Sequence, residues 1–346
     1  MMKKTAIITL MIITALIARP GKSQEVTNDF YDDAETYDLI GTTAIMLDGE
    51  IGNPGSIDIT TLPLRSIVVK EALLSGDSNR FTGAYRYDGY SLYDILNHVI
   101  LKKKNQAEFP PIIDLYVKIE NDKGESVVFS WGELYYPVHR HEIIIATQVA
   151  RIVPSKTKDL WPLPEDIKIV AGHDLITDRN ISNPVRITVL SADKSYPVNK
   201  EMSPLYSADV NITDGDKILG KIDPSKETGP KLTYETIFYG RGRGIHSTTP
   251  FHGIPLKDVL SEYFKMTDEN LKTGYFVVAS VDGYRVVFTF SEIFNRNDQA
   301  ELLLVEDKEN QDGGAFRLFP AADFFSDRAV KAVSEIHLLN SNFSPR

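Results

Sequence analysis

The sequence predicts an α+β protein built from two tandem, strand-rich modules. Three observations predict this class: a length of 346 residues, which suits two ordinary domains; three sequence blocks that recur in the same order; and mixed strand and helix periodicity within each copy. We place module one at residues 36–193 and module two at residues 205–340. The polar stretch 192–203, which precedes Pro204, is the predicted linker.

Residues 1–24 are predicted to be a signal peptide and are left out of the fold. Lys3 and Lys4 precede a short apolar run over residues 5–18, and a polar segment follows. The run is shorter than the roughly 20 residues that cross a bilayer, which disfavours the alternative of a retained membrane anchor. We therefore expect an exported protein, periplasmic or extracellular, with no membrane span in the mature chain.

The composition is acidic and contains no cysteine. Cleavage after residue 24 would remove four cations and no acids, which lowers the formal net charge from −10 to −14. Such a charge repels nucleic acid, so no nucleic-acid partner is expected. The absence of cysteine excludes disulfides, zinc–thiolate sites and cysteine nucleophiles.

The first recurring block predicts a turn followed by a helix. Residues 89–96 (GYSLYDIL) return as residues 253–260 (GIPLKDVL), with Gly, Leu, Asp and Leu in the same places. Apolar residues continue at helical spacing over 92–101 and 256–264. One helix is therefore expected after this turn in each module.

The second block predicts a β-hairpin. Residues 116–146 return without gaps as residues 275–305, including the sequence VVF and a glutamate, Glu133 in the first copy and Glu292 in the second. β-rich runs flank residues 121–124 in the first copy and an Asp-Gly turn in the second. Each copy then closes the block with an apolar strand.

The third block predicts the last strand of each module and carries paired charges. Alternating apolar residues at 186–190 and 332–338 predict the strands. Each copy holds two acids and one arginine: Asp174, Asp178 and Arg179, then Asp323, Asp327 and Arg328. Acid–base chemistry is one interpretation. Their presence in both copies favours a structural role, in which Asp accepts backbone hydrogen bonds and pairs with Arg.

The order of these signals resembles the molybdopterin-binding domain of the sulfite oxidase family. The resemblance is clearest in module two, at residues 253–260, 282–284 (DGY), 302–305, 313–320 (GGAFRLFP) and 328–331 (RAVK). In module one, residues 47–54 are similar to the family's opening strand and turn. The resemblance implies an oxidoreductase in which Arg, Lys and backbone donors hold the molybdopterin phosphate and a cysteine thiolate ligates molybdenum.

The resemblance also implies an anion-holding set in module two, where Arg317, Arg328 and Lys331 match the family's pattern. Module one has Ser182 opposite Lys331. The segment 240–244 (GRGRG) adds arginines whose forked donors suit phosphate or carboxylate, and histidines follow it; its alternative is a solvated loop. The predicted cofactor-binding residues are therefore Arg241, Arg243, His246, His252, Arg317, Arg328 and Lys331.

No cysteine is present where the family has its molybdenum ligand, near residues 76–77 or 240–241. Oxygen ligands do not reproduce a thiolate. We therefore expect a non-redox ligand-binding or interaction module without molybdopterin, whose partner is a small anionic ligand or another exported protein. The alternative is a molybdopterin-dependent oxidoreductase with non-thiolate ligation. No catalytic residue is assigned, and the groove between two similar modules is a further docking place.

Histidines and aromatic residues give weaker signals. His139 and His141 lie at strand spacing on one face, and His173 is followed by an aspartate. No carboxylate–histidine pattern of a known metal site accompanies them, so no metal site is predicted. Phe251 and Tyr284 suit either a stacked planar ligand or core packing.

Overall fold

The computed structural model describes residues 35–76, 78–154, 156–223, 229–306 and 313–342. The predicted signal peptide lies outside these ranges. The chain is mostly β, with 46% of residues in strands and 11% in helices, so the predicted α+β class is wrong. Within the described ranges, every helix is too short or too polar to cross a bilayer.

The shortness of the helices explains this error. The expected helices over 92–101 and 256–264 are observed as α1 (Leu92–Leu96) and, in module two, Leu256–Leu260. Five residues make little more than one turn, which cannot form a helical layer against a sheet. Val99 and Leu101, which suggested a longer helix, pack against the core from an extended segment instead, and Leu101 forms a β-bridge with Ile51.

The described strands of module one form two sheets. In chain order they are β1 (Tyr37–Asp38), β2 (Ala44–Gly49), β3 (Gly55–Asp58), β4 (Arg65–Ser75), β5 (Ser78–Ser91), β6 (Leu115–Asn121), β7 (Ser126–Ser130), β8 (Ile143–Arg151), β9 (Lys168–Ala171) and β10 (Pro184–Ser191). One sheet has the order β1-β8-β5-β4 with β9 beside β8, and the other has the order β3-β2-β10-β6-β7. Helix α2 (Trp131–Tyr135) follows β7, and a 3₁₀ turn spans Ile59–Thr61.

Module two repeats this plan. Its described strands are β11 (Val210–Asp214), β12 (Lys217–Ile222), β13 (Leu232–Tyr234), β14 (Phe238–Gly240), β15 (Gly244–Ser247), β16 (Phe251–Pro255), β17 (Gly274–Ser280), β18 (Arg285–Thr289), β19 (Leu302–Glu306), β20 (Phe316–Pro320) and β21 (Val333–Asn340). They form sheets ordered β12-β11-β21-β17-β18 and β13-β16-β19-β20, and the pair β14-β15. The helices are α3 (Leu256–Leu260), α4 (Asp268–Thr273) and α5 (Phe290–Phe294), and a 3₁₀ turn spans Ser326–Arg328.

The predicted hairpins and closing strands are confirmed. Strand β6 pairs antiparallel with β7, and β17 pairs antiparallel with β18. The closing strands β10 and β21 each pair antiparallel with a hairpin strand and parallel with the first long strand of their own module. The recurring blocks in the sequence therefore correspond to recurring strand pairings.

The hairpin strands β7 and β18 are buried on both faces. Because successive side chains alternate between faces, Val127 and Phe129 enter the core of module one while Val128 enters a separate apolar cluster with Val287 of module two. In the same cluster the rings of Tyr116 and Tyr275 stack with their centres 4.5 Å apart. The two modules therefore pack through their equivalent hairpins.

Candidate functional site

Beside this apolar contact, both modules begin a helix with a buried glutamate. Ser130 caps α2 and Thr289 caps α5, and each hydroxyl accepts a hydrogen bond from the backbone N–H of the glutamate three residues later. In return, the carboxylates of Glu133 and Glu292 each accept a hydrogen bond from the backbone N–H of the cap residue, which completes a capping box. Both carboxylates are buried, and a buried charge is stable only with a partner.

Arg179 supplies the partner for Glu133 in module one. Its guanidinium donates to Glu133 at 2.7 Å and to the two carboxylate oxygens of Asp174 at 2.6 and 2.8 Å. Arg328 does the same in module two, at 2.7 Å to Glu292 and at 2.7 and 2.8 Å to Asp323. These contacts confirm the predicted structural pairing of aspartate with arginine in both copies.

The two clusters are joined across the module boundary. The Ser130 hydroxyl donates to Glu292 at 2.6 Å. The Thr289 hydroxyl donates to Glu133 at 3.0 Å. Each module's cap residue thus serves the other module's glutamate, as in an isologous dimer interface in which equivalent residues exchange the same contact. We call these eight residues the interface network: Ser130, Glu133, Asp174, Arg179, Thr289, Glu292, Asp323 and Arg328.

One residue beside the interface network, His173 of module one, has no equivalent in module two. His173 Nε2 lies 3.0 Å from Oε1 of Glu133, whereas the aligned residue of module two is Ala322. Burial favours a raised pKa at both glutamates. At Glu133, Arg179 and His173 outweigh burial and hold the pKa well below its ordinary value. At Glu292, burial exceeds the effect of Arg328 and the pKa is raised.

His173 also lines a cleft of about 440 Å³ between the modules. We call it the inter-module cleft; the residues around it are Glu133, Pro137, Val138, His139, Glu142, Gly172, His173, Arg296, Asn297, Asp298, Ala300, Ala321 and Ala322. The sequence predicted a groove at this boundary but not its residues. His141, the expected strand-spaced partner of His139, lies elsewhere and contacts Ser91 at 3.0 Å.

The interface network itself does not suit a metal ion. Glu133, His173 and Asp174 each place one candidate ligand atom within 4.8 Å of the others. Arg179 already donates to both carboxylates there. A divalent cation in that position would be repelled by the guanidinium, so these three residues do not form a metal site.

A second pocket, of about 300 Å³, lies within module two. Four of the predicted cofactor-binding residues line it: Arg243, His246, Arg317 and Lys331. One wall of the pocket is aromatic and consists of Phe238, Phe251 and Tyr284. Asp282 adds one carboxylate to the lining. We call it the cationic pocket, because two arginines and one lysine line it together with a single aspartate.

The hairpin β14–β15 carries one side of the cationic pocket and turns at the GRGRG segment. A Cβ at Gly240 would lie 2.4 Å from Nε2 of His246, so a side chain there would displace the imidazole. Gly244 has a φ of +75°, which an L side chain rarely adopts. We therefore assign these two glycines to the turn geometry and to the placement of His246, whereas the sequence suggested that they expose backbone N–H groups.

The remaining predicted residues point away from the cationic pocket. Arg241 Nε donates to Asp327 at 2.9 Å, and this hydrogen bond raises the arginine pKa against the effect of burial. His252 contacts the Thr233 hydroxyl at 2.7 Å on the exposed face of its strand. Arg328 is 1% exposed and belongs to the interface network. In the sequence, the signal that Arg328 belongs to this network was the matching Asp–Arg pair in module one.

Module one places a buried ion pair at the position that aligns with Arg317. Lys168, which aligns with Arg317, is buried and lies 2.8 Å from Oε1 of Glu71. The same oxygen accepts a hydrogen bond from Asn180 at 3.0 Å. The cation of module one is therefore neutralised inside the protein, while the cations of module two border a pocket.

Phe238 is a pocket residue that sequence reasoning missed. Its ring lies 5.1 Å from Phe251 and 5.5 Å from His246, between centres. The apolar run before the GRGRG segment was a usable signal, but it did not show which face of the strand meets the pocket. No protein-family model matches the chain, and no curated protein is significantly similar to it.

The residues of the cationic pocket do not fit molybdenum. Its polar side chains are those of arginine, lysine, histidine, serine, one tyrosine and one aspartate, and the chain contains no cysteine to supply a thiolate. Cations attract the oxygens of a phosphate or carboxylate and repel a metal ion. The pocket therefore suits an anion, and no reaction step through molybdenum follows from it.

Proposed function

We propose that this protein is an exported, non-redox binding protein that holds a small anionic ligand in the cationic pocket of module two. The observation that carries the proposal is the meeting of Arg243, Arg317 and Lys331 at one pocket of about 300 Å³. Arginine forks match the paired oxygens of carboxylate and phosphate, and lysine adds a point charge. His246 and Ser326 add hydrogen-bonding groups.

The aromatic wall favours a ligand with a flat apolar part. Phe251 stacks on Phe319 with ring centres 4.1 Å apart, and Phe238 meets Phe251 edge-on. A stacked pair of this kind is rigid and presents a flat apolar surface. The volume is at the small end of the range for ligand pockets, which favours a compact ring over a dinucleotide.

The asymmetry between the modules supports binding in module two alone. In module one the pairing of Lys168 with Glu71 leaves no net charge for an anion. Ser182 stands where module two has Lys331. At these aligned positions module one thus has a buried ion pair and a serine, whereas module two has an arginine and a lysine that line the cationic pocket. We expect one anion per chain.

Calorimetry with phenyl phosphate and with inorganic phosphate tests the proposal. We expect phenyl phosphate to bind more tightly, at one site per chain, and Arg317→Glu to abolish binding because it reverses one charge at the pocket. Arg80→Glu, at an exposed position of β5 in module one, is the matched control and should bind normally. Equal binding by the two variants would overturn the placement.

Molybdenum and pterin analysis of protein purified from its native compartment tests the non-redox part. We expect neither at stoichiometric amount. Stoichiometric molybdopterin together with turnover of an oxo-transfer substrate would replace the binding proposal with the oxidoreductase alternative.

A further inference from the structure

We propose that Lys168 and Asn180 of module one react to form an intramolecular isopeptide bond, with Glu71 as the group that transfers the protons. The observation that carries the proposal is that both side chains donate to one oxygen, Oε1 of Glu71. Lys168 Nζ lies 2.8 Å from it and Asn180 Nδ2 lies 3.0 Å from it. The proposal does not depend on anion binding, because none of these residues lines the cationic pocket.

The backbone places the lysine and the asparagine on one face of a strand pair. Lys168, in β9, forms a β-bridge with Ser182, and the Ile169 N–H donates to the Ile181 carbonyl at 3.0 Å. Asn180 precedes Ser182 by two residues, so it lies on the same face as the lysine and diagonally opposite it. Diagonal neighbours are about 7–8 Å apart, within reach of a long side chain. The four-carbon stem of lysine therefore brings its amine to the amide.

The amide of Asn180 is oriented for attack by an amine. Its Oδ1 accepts a hydrogen bond from the backbone N–H of Ala171 at 3.0 Å, which fixes the oxygen and nitrogen ends of the amide. A backbone donor at this oxygen stabilises the negative charge that develops on it when a nucleophile adds to Cγ. The other end of the amide, Nδ2, is the leaving group and lies beside Glu71.

Glu71 is in contact with both nitrogens that exchange protons in the reaction. It takes a proton from the Lys168 ammonium, and the lone pair of the resulting amine forms the Nζ–Cγ bond. The Cγ–Nδ2 bond then breaks and its electron pair stays on Nδ2. Two protons in all pass from Nζ through Glu71 to Nδ2, which departs as an ammonium ion. Atoms and charge balance, Glu71 ends ionised as it began, and no oxidant or reductant is required.

The surroundings favour this reaction over hydrolysis. The lysine and the glutamate are 9% and 8% exposed. Lys168 Nζ lies 5.7 Å from the ring centre of Tyr87, which is fully buried. Exclusion of water removes the competing nucleophile, and fixing the two groups in one site raises their effective concentration.

The duplication predicts one such bond per chain. Module two has Arg317 and Ala329 at the positions that align with Lys168 and Asn180. A guanidinium remains protonated and is not a nucleophile, and alanine has no amide. The bond in module one would close the segment 168–180, which carries Asp174 and Arg179 of the interface network. A covalent link of this kind restricts the unfolded chain, as a disulfide does in proteins that contain cysteine.

Mass spectrometry of the folded, purified protein tests the proposal. We expect the intact chain to be lighter than its sequence mass by one ammonia molecule. Trypsin cuts after Arg179, so without the bond residues 159–168, 169–179 and 180–186 appear as separate peptides. With the bond, the modified Lys168 resists cleavage, and residues 159–179 and 180–186 appear as one branched peptide. Separate peptides at full yield from the folded parent protein would overturn the proposal.

Three variants locate the chemistry. Lys168→Met and Asn180→Ala each remove one reacting group and should give the full sequence mass for this region. Glu71→Gln keeps both reacting groups but cannot take up a proton, so it should fold, as judged by cooperative urea unfolding, and give separate peptides. A branched peptide at the parent's yield in folded Glu71→Gln would contradict the role of the glutamate.

Lys70→Met and Asn79→Ala are the matched controls, because both residues are exposed and lie in β4 and β5. Both should form the branched peptide as the parent protein does. Loss of that peptide in the controls as well as in Lys168→Met would overturn the assignment to Lys168 and Asn180.

Discussion

Ser130 donates its hydroxyl hydrogen to Glu292 at 2.6 Å, although 162 residues separate them in the chain. The equivalent bond runs from Thr289 back to Glu133. A residue that caps its own helix therefore also satisfies a buried carboxylate in the other module. This exchange ties the stability of each module to the presence of the other.

Breaking the interface network should strongly destabilise the protein. Replacing Arg328 with Leu leaves Glu292 and Asp323 buried without a cation, and we expect a loss of about 3–5 kcal/mol in the free energy of unfolding. Urea denaturation measures the loss. Arg186→Leu removes an ion pair with Asp48 whose side chains are 44% and 50% exposed, and it should cost less than about 1 kcal/mol. Similar losses in the two variants would contradict the network's role.

Gly132→Ala should destabilise the protein even though alanine favours helices. The residue lies in α2, where an alanine normally stabilises a helix by about 1 kcal/mol. A Cβ at Gly132, however, would lie 2.3–2.5 Å from the buried side chain of Arg328. We expect a net loss of about 1–3 kcal/mol by thermal unfolding. Gly242→Ala, where no atom lies within 4 Å, should be nearly neutral.

Stability should fall as the pH drops from about 6.5 to about 4 because of His337. Burial, and then the nearby charge of Lys194, lower the pKa of this imidazole to about 4. The unfolded chain therefore binds a proton at higher pH than the folded chain, so folding loses free energy as pH falls through this window. The loss reaches up to about 3 kcal/mol.

The variant His337→Gln should flatten that part of the stability profile, because glutamine does not titrate. Urea midpoints for both proteins at several pH values give the comparison. Parallel profiles for the variant and the parent would show that other groups cause the pH dependence.

The Arg241–Asp327 ion pair should hold the hairpin β14–β15 against the 3₁₀ turn. The arginine side chain is half exposed, so the pair contributes at most about 1 kcal/mol. We expect Arg241→Met to speed amide hydrogen exchange in the hairpin by up to about fivefold. Arg243→Met should leave the exchange unchanged, and an equal increase in both variants would contradict the assignment.

Local sequence patterns were sufficient for the hairpins and closing strands. Alternating apolar residues and the turn at Asp282-Gly283 specified β17 and β18 correctly. Helical spacing failed after Leu96, where α1 ends, because an apolar residue at helical spacing packs equally well against the core from an extended segment. Apolar periodicity indicates which residues are buried, but it does not show whether a helix or an extended segment brings them to the core.

The residue types in module two indicated a cationic pocket, but they did not indicate which arginine has which role. Arg243 and Arg317 line it, whereas Arg241 is held by Asp327 and Arg328 is buried beside Glu292. All four arginines have the same intrinsic chemistry. Whether an arginine lines the pocket depends on where folding places its side chain, which the local sequence does not specify.

The sequence by itself determined the duplication, the repeated hairpins and the Asp–Arg pairs, because each of these is visible in short local patterns that recur along the chain. Only the tertiary structure decided that Ser130 meets Glu292, that His173 meets Glu133, and that Lys168 is neutralised by Glu71. These relationships join residues far apart in sequence, and their pairing is set by burial and charge in the folded protein.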